Sequence, residues 1–251
     1  MRNSVAIFHI FFLAVLALAF GGHAARAEEN MRVVIYGDSL TSGYQLQPNE
    51  LFSTRLDMKL REIGYTNVEV VSMSVPGQTT TSGAEGIEDV IAKHPDVVII
   101  ALGNNDAVRG VNTDLIYTNL LNILGKLQQQ RIYPVVLGIK APAVRGYAYG
   151  KQLDAVFERA TSFYKVAYYP NILEGIADNP DFSLADSYHP NGRGVDIIIE
   201  NIYLLVDTGL RWRWQVISEQ RGGYRPAIPE QALPPAMPPT AEPQATPPAA
   251  P

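Results

Sequence analysis

Two short stretches of the sequence carry side chains that together could perform nucleophilic catalysis. Residues 37–40 read Gly-Asp-Ser-Leu and follow an apolar run, and residues 186–189 read Asp-Ser-Tyr-His. A serine hydroxyl becomes a nucleophile when a base lies within hydrogen-bonding distance and an acid orients that base. The second stretch allows the Asp186 carboxylate to reach the His189 imidazole within one turn of the chain. A hydroxyl of the first stretch, His189 and Asp186 are therefore candidates for a site of nucleophilic catalysis.

His189 is the histidine best placed to act as the base. The chain has four histidines, and His9 and His23 lie in an N-terminal segment that we expect to be removed. His94 lies just before the apolar, strand-like run at 97–102, which places it at the amino end of the predicted sheet. Ligand-binding loops of such sheets lie at the opposite, carboxyl end, where His189 is expected.

The elements that must position these residues alternate between strand and helix. Apolar runs typical of buried strands cover residues 32–36, 68–71, 97–102 and 132–139, with a weaker run at 166–169. Helical spacing of apolar residues occurs at 48–64, 86–93, 113–130, 152–165 and 194–207. This alternation predicts an α/β fold with a central parallel sheet and helices on both faces.

Two other functions are compatible with parts of this pattern. The Asp186 and His189 pair could bind a metal ion, although no third ligand is evident and the chain has no cysteine. The hydroxyl-rich residues 39–43 could hold a phosphate, or the phosphate of a flavin, in a protein without catalytic activity. That second alternative assigns no role to Asn105, Asp186 or His189.

The motifs, in their order along the chain, resemble the four blocks of the SGNH, or GDSL-type, serine hydrolases. They are Gly-Asp-Ser-Leu at 37–40, Gly77, Gly-x-Asn-Asp at 103–106 and Asp-x-x-His at 186–189. The sequence is most similar to the bacterial periplasmic arylesterase, thioesterase and lysophospholipase branch, through residues 37–44, 68–80 and 102–106. These matches cover nearly the whole predicted folded domain.

The resemblance implies a three-layer α/β/α, flavodoxin-like fold with about five parallel strands in the order 2-1-3-4-5. It implies Ser39 as nucleophile, His189 as general base and Asp186 as the acid that orients the base. The oxyanion would be held by the backbone N–H groups of Ser39 and Gly77 and by the Asn105 side-chain amide. Neither a cofactor nor a metal ion is implied.

Two positions depart from the pattern of that branch. Asn104 stands where a second glycine is common, and Ser72 stands where asparagine is usual. Neither residue replaces a group assigned to the chemistry, so the departures bear on substrate preference more than on activity. Asp38 is interpreted as structural, accepting bonds from backbone N–H groups in its own turn. Residues 140–150 are interpreted as a substrate-binding loop or a surface connection.

The two ends of the chain differ in composition from the middle. A basic start, an apolar run at 5–20 and an Ala-x-Ala site at 25–27 predict a signal peptide, residues 1–27, cleaved before Glu28. An uncleaved membrane anchor is the alternative. The proline-rich residues 226–251 predict a disordered tail that acts as a spacer or docks to a partner or the cell wall. The folded domain is therefore predicted to be residues 28–225.

Composition and charge narrow the function further. The formal charge is -5 at pH 7 and the basic residues are scattered, so nucleic-acid binding is not expected. The predicted protein is a periplasmic or secreted hydrolase of small carboxylic esters, thioesters or lysophospholipids, with Ser39 carrying the acyl group. The main alternative is a polysaccharide O-acetyl esterase of the cell envelope, held near its polymer by residues 226–251.

Overall fold

A computed structural model describes residues 30–220 of the chain. The predicted signal peptide, residues 1–27, and the predicted tail, residues 226–251, lie outside the described residues. Within residues 30–220, no helix combines the length and the apolar character needed to cross a bilayer.

Five strands form one parallel sheet. They are β1 (Met31–Gly37), β2 (Val68–Ser72), β3 (Val97–Ala101), β4 (Tyr133–Leu137) and β5 (Ala167–Tyr169). Their order across the sheet is β2-β1-β3-β4-β5, and every neighbouring pair is parallel. β3 and β4 are buried along their whole length, which explains why their sequences are continuously apolar rather than alternating. The predicted strand order is confirmed.

The helices of the described region form two groups that cover the sheet. They are α1 (Phe52–Glu62), α2 (Thr80–Glu85), α3 (Ile87–Ile91), α4 (Asn104–Arg109), α5 (Thr113–Gln129), α6 (Tyr147–Tyr164) and α7 (Gly192–Gln220), with a 3-10 turn at Ala143–Arg145. α1 packs against α7, and α5 packs against α2, α3 and α6. This arrangement confirms the predicted three-layer fold.

Several helix boundaries correct the sequence-based prediction. α6 begins at Tyr147 rather than Gln152, so part of the predicted loop 140–150 is helical. α7 continues past Asp207 to Gln220, because Leu210 and Ile217 extend its buried stripe. No apolar pattern predicts α2 or α4, since helices of six residues are too short to show a helical period.

The carboxyl ends of adjacent strands position the candidate site. Gly37 at the end of β1 pairs in register with Ala101 at the end of β3. Beyond β2, the N–H of Val75 donates to the carbonyl of Gly37 at 3.0 Å. The loops after β1, β2 and β3 therefore start side by side, and they carry the predicted nucleophile and oxyanion donors.

Candidate active site

Ser39, His189 and Asp186 form a continuous hydrogen-bonded chain. Ser39 Oγ lies 2.8 Å from His189 Nε2, and His189 Nδ1 lies 2.6 Å from Asp186 Oδ2. Because an ionised carboxylate can only accept, Nδ1 carries a proton and Nε2 is free to accept from the serine hydroxyl. The fold thus brings together three side chains that the sequence predicts, across a separation of 150 residues.

Ser39 lies in a single helical turn rather than in a helix. The N–H of Thr41 donates to the carbonyl of Asp38 at 3.2 Å, which closes the turn directly after β1. Thr41 Oγ1 lies 2.8 Å from Ser74 Oγ, so the turn is fixed against the loop after β2. A Cβ at Gly37 would lie 2.2 Å from Thr41 Oγ1. Glycine is therefore required at the start of the motif for the turn to pack.

The loop that carries His189 is held by the other oxygen of Asp186. Asp186 Oδ1 accepts from the backbone N–H groups of Tyr188 and His189, both at 3.0 Å. Ser187 between them has a φ of 59°, a left-handed conformation that costs about 1–2 kcal/mol for an L-residue other than glycine. These hydrogen bonds hold the loop in that conformation.

The same hydrogen bonds keep Asp186 ionised. Burial by itself would raise the pKa of the Asp186 carboxyl. The bonds from the His189 ring and from the backbone N–H groups of Tyr188 and His189 outweigh burial and lower this pKa below its ordinary value. An ionised Asp186 orients the imidazole and can stabilise it once it is protonated.

Two tyrosine rings flank the imidazole of His189. The Tyr44 ring lies 4.8 Å away between centroids and is tilted by 43°. The Tyr188 ring lies 5.7 Å away and approaches edge-on. Together they restrict rotation of the imidazole, and the partly exposed Tyr44 borders the mouth of the site.

Two of the predicted oxyanion donors are unengaged backbone groups. Within the part of the chain that the structure describes, no hydrogen bond uses the N–H of Ser39 or that of Gly77. Gly77 has a φ of 84°, in the left-handed region that favours glycine. A Cβ at this position would meet only Arg109, at 4.0 Å, so backbone conformation rather than space requires glycine. Both N–H groups remain available to a negatively charged oxygen.

The third predicted donor, the Asn105 amide, is already engaged. Its Nδ2 donates to Asp38 Oδ2 and to the Gln78 carbonyl, each at 3.0 Å. These acceptors adjoin Ser39 and Gly77 in sequence, so the amide joins the two loops that carry the backbone donors. To reach an oxyanion, Asn105 must share one of its hydrogens or release one acceptor.

Asp38 is a buried carboxylate that joins the turn of Ser39 to α4. It is 0% exposed, and its Oδ1 accepts from the N–H of Leu40 at 3.0 Å, a bond within its own turn as expected. The bond from Asn105 to Oδ2 is an additional one that the sequence does not reveal. Burial raises the pKa of Asp38 to about 6, against the lowering effects of Leu40, Asn105 and His189.

Asn104, which departs from the sequence pattern described above, contacts the loop that carries His189. The Tyr188 hydroxyl donates to Asn104 Oδ1, and Asn104 is 4% exposed. Burial raises the pKa of Tyr188 to about 12, so the hydroxyl keeps its proton. The bond links the residue before Asn105 to the residue before His189. A glycine at position 104 could not form it.

A second buried network fixes α2 and, with it, the loop of Gly77. Asp106 accepts from the N–H of Thr80 at 2.9 Å and from its hydroxyl at 2.6 Å. Asn119 on α5 donates to Thr80 Oγ1 at 3.1 Å. All three residues are buried. Asp106 is visible in the sequence motif, but its role depends on Thr80, 26 residues away.

The remaining polar candidates lie away from this centre. His94 is exposed and lies three residues before the start of β3, at the amino end of the sheet as predicted. Within residues 30–220, no group of three or more His, Cys, Asp or Glu side chains is arranged to hold a metal ion. In the described part of the chain, His189 is thus the histidine that contacts Ser39.

Comparison with known proteins assigns the chain to a family. The sequence profile of the GDSL-like Lipase/Acylhydrolase family matches residues 35–197, a range that contains Ser39, Gly77, Asn105, Asp186 and His189. The chain belongs to this family. It is therefore an ester hydrolase, as the sequence predicts.

Individual relatives support the assignment. The chain is 27% identical over 168 residues to an arylesterase of Vibrio mimicus, covering 66% of this chain and 84% of that protein. It is 27% identical over 190 residues to thioesterase 1/protease 1/lysophospholipase L1 of Escherichia coli strain K12, covering 75% and 87%. The crystal structure of AlinE4, an SGNH-hydrolase family esterase, matches with a TM-score of 0.60 and 31% identity, covering 73% of this chain and 98% of that one.

The Tyr188 to Asn104 bond predicts coupled effects on turnover. We expect Tyr188→Phe and Asn104→Ala each to lower kcat by about three- to tenfold, the value of one hydrogen bond, with little change in KM. The kcat of the double variant should be no lower than that of the more impaired single variant, because both substitutions remove the same hydrogen bond. Steady-state kinetics on a soluble ester measures this. Tyr65→Phe, which removes a bond to Asp207, is the control, and additive losses would contradict the coupling.

The raised pKa of Asp38 predicts a pH-dependent stability. The native carboxyl keeps its proton up to about pH 6, whereas the unfolded one loses it near 3.8. The protonated Asp38 therefore adds up to about 3 kcal/mol to the free energy of unfolding. This contribution is complete below pH 3.8, the unfolded pKa, and is lost as the pH rises through about 6.

Chemical denaturation at a series of pH values measures this effect. The free energy of unfolding of the natural protein minus that of Asp38→Asn should fall between about pH 4 and pH 7. Any fixed cost of the substitution cancels, because only the slope is compared. A difference that stays constant with pH would show that Asp38 titrates at an ordinary value.

Proposed function

We propose that this protein hydrolyses carboxylic ester or thioester bonds through an acyl-enzyme formed on Ser39. The observation that supports this most is the chain of contacts from Ser39 through His189 to Asp186. The unengaged N–H groups of Ser39 and Gly77 supply the donors that such a reaction needs. The relatives named an arylesterase and a thioesterase/lysophospholipase point to the same classes of substrate.

In the proposed first step, Ser39 Oγ attacks the carbonyl carbon of the substrate. His189 Nε2 accepts the hydroxyl proton across the 2.8 Å contact, and Asp186 stabilises the imidazolium that results. The tetrahedral intermediate then collapses and expels the alcohol or thiol. The leaving group takes the proton back from His189, and the acyl group remains on Ser39.

The negative oxygen of the intermediate is bound by three donors in this proposal. Two are the N–H groups of Ser39 and Gly77. The third is the Asn105 amide, which strengthens its contact with the oxygen by weakening one of its bonds to Asp38 or Gln78. Asn105 would then bind the transition state more strongly than the ground state, which is the condition for raising kcat.

The second step repeats the chemistry with water as the nucleophile. His189 Nε2 takes a proton from water, and the oxygen attacks the acyl carbon. The same three donors bind the second oxyanion. The acid leaves, and the proton returns from His189 to Ser39, so the site is regenerated without a cofactor.

We further propose that the protein acts in the periplasm or outside the cell, on small acyl esters, thioesters or lysophospholipids. The location rests on the signal-peptide pattern of residues 1–27. The polysaccharide O-acetyl esterase alternative uses the same Ser39 chemistry and differs only in substrate. It is separated by comparing acyl esters of increasing chain length with an acetylated sugar.

The catalytic roles are tested by substitution and labelling. Ser39→Ala should lower hydrolysis of a p-nitrophenyl acyl ester by about 10⁴-fold or more and prevent labelling by a serine-directed fluorophosphonate. Asn105→Ala should lower kcat by about a hundredfold to a thousandfold. His94→Gln, at the opposite edge of the sheet, is the control and should behave as the natural protein. Retained turnover in Ser39→Ala would exclude the proposal.

The proposed location is tested on the protein isolated after expression in a bacterium with a periplasm. We expect the periplasmic protein to begin at Glu28 by N-terminal sequencing, because signal peptidases require small residues such as Ala25 and Ala27. A variant with leucine at both positions should remain a membrane-bound precursor. Natural protein that begins at Met1 in the membrane fraction would instead support an uncleaved anchor.

A further inference from the structure

Exposed apolar side chains are concentrated beside the mouth of the site. We call residues 75–77, 108–110 and 143–151 the rim. In it, Val75 is 57%, Tyr147 81% and Val144 89% exposed, and the last two are the most exposed large apolar side chains of the described region. Since transfer of such surface out of water is favourable, the rim is a surface that lacks an apolar partner.

Contacts between the three segments make the rim continuous. Arg109 Nη2 donates to the Gly77 carbonyl at 3.4 Å and joins the second segment to the first. Arg145 donates to the Val108 carbonyl and joins the third segment to the second. The rim thus includes Gly77, whose N–H is a proposed oxyanion donor, and lies next to the proposed reaction centre.

The rim is basic although the chain as a whole is acidic. Arg109, Arg145 and Lys151 lie in it and no Asp or Glu does, whereas the chain carries a formal charge of -5. Lys151 Nζ lies 5.8 Å from the centroid of the Tyr147 ring. Positive charge and apolar surface therefore occupy the same patch.

The start of α6 adds further positive potential to the rim. This helix of 18 residues begins at Tyr147, and its N-cap residue, Gly146, offers no side-chain acceptor. The first N–H groups of a helix carry partial positive charge and favour anions. They add to the attraction that Arg145 and Lys151 exert on a negatively charged surface.

The shape of the rim fits a surface rather than a small molecule. A pocket would cover apolar side chains on several sides, yet Val144 is almost wholly exposed. A Cβ built on Gly146 would have no atom within 4 Å. The third segment therefore projects into open space.

We infer that the rim docks on an anionic lipid surface, with Val144 and Tyr147 among the acyl chains and Arg109 and Arg145 facing lipid phosphates. Apolar tips flanked by cations are the pattern of segments that bind such surfaces. The inference deepens the proposed function and rests on it, because docking would bring an acyl ester in the lipid layer to Ser39 without passage through water.

Binding to vesicles tests the inference without the chemistry. The predicted mature protein, residues 28–251, carrying Ser39→Ala is sedimented with vesicles of phosphatidylglycerol and, separately, of phosphatidylcholine, so that the apolar run at 5–20 is absent. We expect clear binding to phosphatidylglycerol, much weaker binding to phosphatidylcholine, and a decrease as salt screens the charges. Equal binding to both lipids, or binding to neither, would overturn the inference.

Two double variants locate the binding surface. Arg109→Gln with Arg145→Gln should weaken binding by about thirtyfold, and Val144→Ser with Tyr147→Ser by about tenfold. The matched controls are Lys93→Gln with Arg131→Gln and Phe163→Ser with Leu204→Ser, all exposed residues outside the rim. Rim variants that bind as well as these controls would contradict the assignment.

The outcome is separable from that of the proposed function. If the protein hydrolyses soluble esters but does not bind phosphatidylglycerol vesicles, the proposed hydrolase function stands and the docking inference is wrong. If the rim variants instead raise KM for a soluble ester while vesicles do not bind, the rim is a wall of the substrate site and the lipid inference is wrong. Vesicle binding without hydrolysis would refute the function alone.

Discussion

The buried carboxylate of Asp38 is the interaction on which the rest of the site depends. One oxygen accepts from the turn that presents Ser39, and the other accepts from Asn105 at the start of α4. An asparagine at this position would have the same shape, but its NH2 group would face one of these two N–H donors, and that hydrogen bond would be lost. The carboxylate is thus what allows the loops after β1 and β3 to face each other at hydrogen-bonding distance. The protein has a carboxyl group at this position although burial raises its pKa and so opposes its ionisation.

Around this carboxylate, the site is assembled from loops that are joined to one another by hydrogen bonds. Asn105 also binds the loop of Gly77 through the Gln78 carbonyl, and Tyr188 ties the loop of His189 to Asn104. Each loop therefore depends on a partner far away in sequence. In the proposed reaction, such mutual support would orient the backbone and side-chain dipoles before substrate arrives, which lowers the reorganisation required.

The sequence predicts most of the fold because buried parallel strands and long amphipathic helices have strong patterns. The strands and α5 fall close to their predicted bounds. It predicts Ser39, Asp186 and His189 because the chain has only four histidines and because the motifs occur in a specific order. The bond from Tyr188 to Asn104 spans 84 residues and leaves no periodic signal, and the engagement of Asn105 by Asp38 is equally non-local. Short elements and long-range polar contacts are therefore what the sequence alone does not reveal.

The length of α7 has a consequence for the two ends of the sheet. The helix starts three residues after His189, has 29 residues and is thus about 43 Å long. Arg213, near its end, binds Asp96 just before β3, so the helix has by then crossed to the opposite edge of the sheet. α7 therefore spans the domain from the end of the sheet where Ser39 and His189 lie to the end where Asp96 precedes β3. A single helix thus connects the two ends of the sheet, and a displacement of one end would be transmitted along it to the loop of His189.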